Sequence, residues 1–95
     1  MAARRLLYVI AYDIADDRRR RRIASLLEER AARVQESLFE QRLSNREAAQ
    51  LFAALKALCH TDDSLRLYPV PDAALPRART HGGPQIAGGG RYWIV

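Results

Sequence analysis

Seven apolar residues in unbroken succession, Leu6-Leu7-Tyr8-Val9-Ile10-Ala11-Tyr12, stop abruptly at Asp13. A run of this length, rich in β-branched and aromatic side chains, reads as a central strand covered on at least one face. It is far shorter than the roughly 20 apolar residues a membrane span needs. Asp16 and Asp17 follow at once, one positioned to cap a helix and the other to place negative charge in its first turn. The spacing predicts a helix to about Ala31, with Ile23, Ala24, Leu26 and Leu27 on its inner face. A strand that feeds directly into an amphipathic helix commits the chain to a sheet with helices layered on it.

The remaining segments fit that plan. Arg33 to Leu43 reads as a second strand whose alternation is imperfect, because Val34 and Leu38 fall on one face and Phe39 on the other. A bulge, or burial of the second face by a partner, would account for this. Ser44-Asn45-Arg46-Glu47 is a Ser-x-x-Glu capping box. It opens a helix with Ala48, Leu51, Phe52, Leu55, Leu58 and Cys59 at helical spacing, ending near Thr61-Asp62-Asp63. Ser64 to Val70 alternates, with Leu65 and Leu67 on one face, as a third strand closed by Pro69 and Pro71. A short strand is expected around Arg77 to His81, and Arg91-Tyr92-Trp93-Ile94-Val95 reads as a terminal strand that pairs with an open sheet edge. The expected class is α+β, a ferredoxin-like βαββαβ sandwich with an additional C-terminal strand and both helices on one sheet face. One domain occupies residues 1–95: a core over about 5–71, a Pro/Gly-rich segment over 72–90, and the strand 91–95. The other sheet face needs cover, and the surroundings of Tyr8 and Phe39 suggest two protomers packed sheet against sheet as a symmetric homodimer.

Charge is the second constraint. Lys and Arg number 16 against 11 Asp and Glu, a net charge of +5, and Lys56 is the only lysine. Arginine's planar fork suits phosphate oxygens, so nucleic acid or another polyanion is the expected partner, although an arginine-rich proteome would give the same bias. The single cysteine, Cys59, rules out an internal disulfide, and one Cys with two distant His makes no zinc site. With no signal-peptide pattern at the N-terminus and no membrane segment, a cytoplasmic location is expected.

Asp13 stands where ligands gather in α/β folds, at the carboxyl end of a buried strand. Its carboxylate suits Mg²⁺, which takes oxygen ligands. One carboxylate is a poor metal site, so a two-fold axis that brings two Asp13 side chains together would be needed; the plain alternative is that Asp13 caps a turn. Five consecutive arginines, Arg18 to Arg22, repel one another, and neighbouring phosphate would stabilise them. They are otherwise a solvated face. If alternation holds, Arg33, Ser37 and Phe39 project from one face of the second strand, Ser37 able to hydrogen-bond a phosphate or water and Phe39 serving as core, interface or stacking platform. No P-loop, dinucleotide fingerprint or nucleophile elbow is present.

Taken together, Tyr12-Asp13-Ile14-Ala15-Asp16-Asp17, Arg20, Arg22-Ile23, Arg33-Val34-Gln35, Ser37-Leu38-Phe39-Glu40 and Leu65-Arg66-Leu67-Tyr68-Pro69-Val70 resemble the CRISPR-associated Cas-two family over roughly Leu7 to Pro71. The resemblance implies a small dimeric subunit of the spacer-acquisition machinery, its C-terminal strand paired with the other subunit. It further implies Asp13 as the catalytic and Mg²⁺-binding residue beside the two-fold axis. Family members are described as metal-dependent endonucleases acting on RNA or DNA, and also as a non-catalytic bridge that holds double-stranded DNA between copies of the Cas-one integrase. Arg20, Arg22, Arg33, Ser37 and Phe39 match family positions tied to nucleic-acid handling, and Arg18 and Arg19 extend the same basic run.

Overall fold

The computed structural model describes residues 4–86. The element order is β1 (Arg5–Asp13), α1 (Asp17–Arg30), β2 (Ala32–Gln35), β3 (Leu38–Ser44), α2 (Asn45–Leu58) and β4 (Ser64–Val70), followed by a 3-10 helix over Asp72–Arg77. The sheet has the order β2-β3-β1-β4, with every neighbouring pair antiparallel. Two interleaved βαβ crossovers with this order are the ferredoxin-like arrangement. The expected terminal strand Arg91–Val95 lies outside the described residues.

The helix termini behave as their side chains dictate. The Asp16 carboxylate accepts the Arg19 backbone N–H at 2.9 Å. Ser44 and Glu47 make both bonds of the capping box, at 3.1 and 2.8 Å. Each cap satisfies donors that the first turn of a helix leaves unpaired. Among the described residues, no helix is long and apolar enough to cross a membrane.

Three expectations need correction. The single strand over Arg33 to Leu43 is two strands, because the chain reverses at Glu36-Ser37; Arg33 pairs with Phe39, and the register shifts between Arg33 and Gln35. The imperfect alternation was thus the signature of a hairpin. The short strand at Arg77 to His81 does not form; the 3-10 helix ends at Arg77 and the segment beyond it is irregular. Finally, Tyr8 and Phe39 do not mark the uncovered face. Tyr8, Ile10 and Tyr12 alternate onto the side of β1 that α1 and α2 cover, where Phe39 pairs with Ile10. Together with Ile23, Leu27, Leu51 and Leu55 they form the core, and Ile10, Ile23, Leu27, Phe39 and Leu55 are wholly buried.

The opposite face carries Leu7, Val9, Ala11 and Asp13 from β1, opposite Leu38, Glu40 and Arg42 of β3 and Ser64, Arg66, Tyr68 and Val70 of β4. Leu7 and Leu75 are both buried, whereas Val9, Ala11 and Leu38 are half-exposed. Arg42 donates to the Asp72 carboxylate at 3.2 Å and to the Arg5 carbonyl at 3.3 Å, tying the start of the 3-10 helix to the β1 end of this face. The Asp13 end remains open. Tyr68, 51% exposed, is the only exposed large hydrophobic residue among those described.

Candidate functional site

Alternation along β1 decides what Asp13 does. With Tyr8, Ile10 and Tyr12 committed to the core, Val9, Ala11 and Asp13 must point to the other side, and Asp13 emerges exposed opposite Ser64 at the last register position. Two shallow clefts meet there. One, about 290 Å³, is lined by Tyr12, Asp13, Ile14, Arg20, Glu36 and Ser37. The other, about 260 Å³, is lined by Ala11, Tyr12, Asp13, Ser64 and Arg66. Arg66 donates to the Tyr68 hydroxyl at 2.9 Å, which sets its guanidinium along the same face.

The backbone around Asp13 is tightly tied. The Tyr12 N–H donates to the Ser37 carbonyl at 3.2 Å and the Tyr12 hydroxyl donates to the Glu36 carbonyl at 3.0 Å. The turn between β2 and β3 is therefore fastened to the residue preceding Asp13. Ser37, expected on a strand face, sits in that turn and reaches the cleft from it.

The arginine run divides into two groups. Arg19 forms an ion pair with Asp63 at 2.8 and 3.2 Å, and the Asp63 side chain is only 3% exposed. The Arg19 guanidinium, together with the His60 N–H that donates at 2.8 Å, holds the Asp63 carboxyl below its ordinary value. Arg20 donates to the Ile14 and Ala15 carbonyls at 2.9 and 3.2 Å and pairs with Asp17. Arg18, Arg21 and Arg22, by contrast, are exposed, and their side chains make no hydrogen bond or ion pair among the described residues. Arg21, which is in the basic run but not among the family-matched positions, shares the exposed face of Arg18 and Arg22, because i, i+3 and i+4 positions are neighbours on a helix.

Arg33 donates to the Glu28 carboxylate and the Glu36 carbonyl, both at 2.8 Å, and its guanidinium lies 5.3 Å from the centroid of the Phe39 ring. Phe39 itself is fully buried and stacks with Tyr12 at 6.3 Å. Arg33 and Phe39 do share a face, through pairing across the hairpin rather than along one strand, but the ring offers no surface to a base.

Among the described residues no group of three or more His, Cys, Asp and Glu could hold a metal ion. Burial pushes the Cys59 thiol up, which argues against a thiolate nucleophile. A further cleft, about 470 Å³, lies on the α2 side of β4 among Tyr8, Ala48, Ala49, Phe52, Ala53 and Leu67. Its lining is mostly apolar and holds no carboxylate, whereas the clefts at Asp13 combine a carboxylate with Arg20 and Arg66.

Comparison with known proteins bears on the family and the fold. The family model for CRISPR associated protein Cas2 matches residues 6–77. A CRISPR-associated endoribonuclease Cas2 of Synechocystis sp. is 44% identical over 81 residues, covering 84% of this chain and 88% of that protein. One from Thermus thermophilus is 45% identical over 75 residues, covering 78% and 80%. Among solved structures, a hypothetical protein from Thermus thermophilus superposes with a TM-score of 0.76 at 38% identity, covering 86% of this chain and 98% of that one. Streptococcus pyogenes Cas2 superposes with a TM-score of 0.68 at 25% identity, covering 81% and 100%. The matched span runs from the strand that presents Asp13 to the 3-10 helix, so the whole scaffold of the site is shared, and the chain belongs to the CRISPR-associated Cas2 family.

Proposed function

We propose that this chain is a nucleic-acid-handling subunit of CRISPR spacer acquisition that cleaves RNA or DNA phosphodiesters as a homodimer, with Asp13 as its catalytic and metal-binding residue. The observation that carries this is the placement of an exposed carboxylate at the open end of a half-covered sheet face, between two clefts that also contain Arg20 and Arg66. The names of the relatives, endoribonucleases, support RNA as a substrate.

The donor set fits Mg²⁺ only in part. One protomer offers a single carboxylate, whereas a hard cation seeks about six oxygens. A second copy packed on the Val9, Ala11, Leu38 and Tyr68 surface would cover half-exposed apolar groups and bring a second Asp13 towards the first. Water would complete such a pair. The chemistry Mg²⁺ supplies there is polarisation of a phosphoryl oxygen and a lowered pKa for bound water. The protein's own side chains do the rest: the exposed arginines hold the phosphate backbone, and the Ser37 hydroxyl in the cleft orients a phosphate oxygen or a water.

A second reading has its own support. One carboxylate per protomer, with His60 and His81 both exposed and neither lining the clefts at Asp13, is sparse for hydrolysis. The same dimer would then act as a non-catalytic clamp on double-stranded DNA, bridging copies of the Cas-one integrase. Cleavage of labelled single-stranded RNA and double-stranded DNA with Mg²⁺, for wild type and Asp13→Ala and with EDTA, decides between them. Activity lost in both controls is the expected result. Absence of cleavage with tight, salt-sensitive duplex binding by both proteins would overturn the catalytic reading in favour of the clamp.

A further inference from the structure

We propose that Arg20 and Arg33 are positioning residues of the Asp13 site, each locking one of the two backbone segments that flank that carboxylate; the proposal rests on Asp13 being the reactive centre. The first segment is the β1–α1 loop. Ile14 is buried, so its loop carbonyl needs a donor from the protein. Arg20 supplies it, spans to the Ala15 carbonyl, and reaches Asp17 with its other terminal nitrogen. The second segment is the Glu36-Ser37 turn. Arg33 holds the Glu36 carbonyl, is itself steadied by Glu28, and rests on the buried Phe39 ring. Tyr12 then fastens the same turn to the strand that carries Asp13.

This is a fork geometry in both cases. Three of Arg20's five N–H donors are committed to the loop, which leaves a poor remainder for bidentate recognition of phosphate. Lysine keeps the charge but is a point donor that cannot span two carbonyls and a carboxylate at once. Phosphate binding tolerates that exchange far better than a clamp does. The substitutions Arg20→Lys and Arg33→Lys therefore separate the two roles.

The test uses the full chain, labelled single-stranded RNA for turnover, and duplex DNA binding across 50–200 mM salt. The expected result is a fall in kcat of roughly 10- to 100-fold, the scale attached to small misplacements of catalytic groups. KM and the salt slope should stay at wild-type values. Amide hydrogen exchange should accelerate in Arg20→Lys at Arg19 and Arg20, whose N–H groups bond Asp16 in the β1–α1 loop, and in Arg33→Lys at Tyr12, whose N–H bonds the Ser37 carbonyl of the turn. The proposal is overturned if affinity or salt slope falls while kcat is kept, or if exchange at those amides is unchanged. If wild type cleaves nothing, the catalytic reading of Asp13 fails by itself. The exchange measurement then decides whether the arginines lock the loops.

Discussion

Replacing Phe39 with alanine should destabilise the protein strongly rather than strip it of a nucleic-acid contact. The ring is wholly buried, stacked on Tyr12 and capped by Arg33. Truncating a buried Phe to Ala costs about 3–5 kcal/mol, from lost transfer free energy and the cavity left behind. The Tyr12 stacking adds about 0.5–1.5 kcal/mol at most, and the half-exposed Arg33 about 0.5–1 kcal/mol. These gains overlap with the burial figure, so about 4 kcal/mol is a fair central value. A 95-residue domain has about 5–14 kcal/mol of stability in total, so the substitution removes more than about a quarter of it. With an unfolding entropy of about 2.1 cal/mol/K per residue, Tm should drop by about 20 °C. Urea unfolding followed by far-UV circular dichroism measures this directly, and Phe39→Leu, which restores most of the apolar volume, should fall between wild type and Phe39→Ala. A stability loss below about 1 kcal/mol combined with collapsed RNA or DNA affinity would refute the reasoning. It would mean that the ring leaves the core to meet a base.

Two further outcomes are expected. Each of Arg18→Gln, Arg21→Gln and Arg22→Gln should reduce the dependence of log affinity on log salt by about 0.7–0.9 for each phosphate that is no longer neutralised, with Tm unchanged; filter binding between 50 and 200 mM salt measures it. Asp63 is expected to give stability that acid removes: its carboxyl is held below the ordinary value of 3.8, so its contribution is fully present above that pH and is lost as pH falls through the lower folded value. Urea midpoints from pH 7 to pH 2 should show Asp63→Asn with a shallower acid decline than wild type, and parallel declines would contradict the assignment.

Much of the scaffold was legible because its determinants are local. The apolar run of β1, the Asp16 cap, the Ser44–Glu47 box and the Leu65/Leu67 alternation each act within a few residues, and each formed as expected. The hairpin escaped because Glu36-Ser37 carries none of the Gly, Asn or Asp chemistry that announces a tight turn. Phe39 was legible as a core or interface side chain, but with the hairpin missed its surroundings were assigned to the uncovered face. Division of the arginine run was out of reach in principle: Asp63 lies 44 residues from Arg19, and backbone carbonyls have no sequence signature. The 3-10 helix was hidden in a stretch whose prolines and glycines read as loop, yet Leu75 buries there all the same.

The two borders of the sheet differ in what they allow to be added to it. β2 is only four residues long, whereas β4 offers seven. Near the end of β4 stands Pro69, which has no N–H to give. Along this border, addition of another strand is favoured over the Ser64–Tyr68 stretch, where the N–H groups that face away from β1 are intact. That stretch begins opposite Asp13. A strand added there would lie towards the end of the molecule that bears Asp13, and away from the end where Arg42 and Asp72 tie down the 3-10 helix.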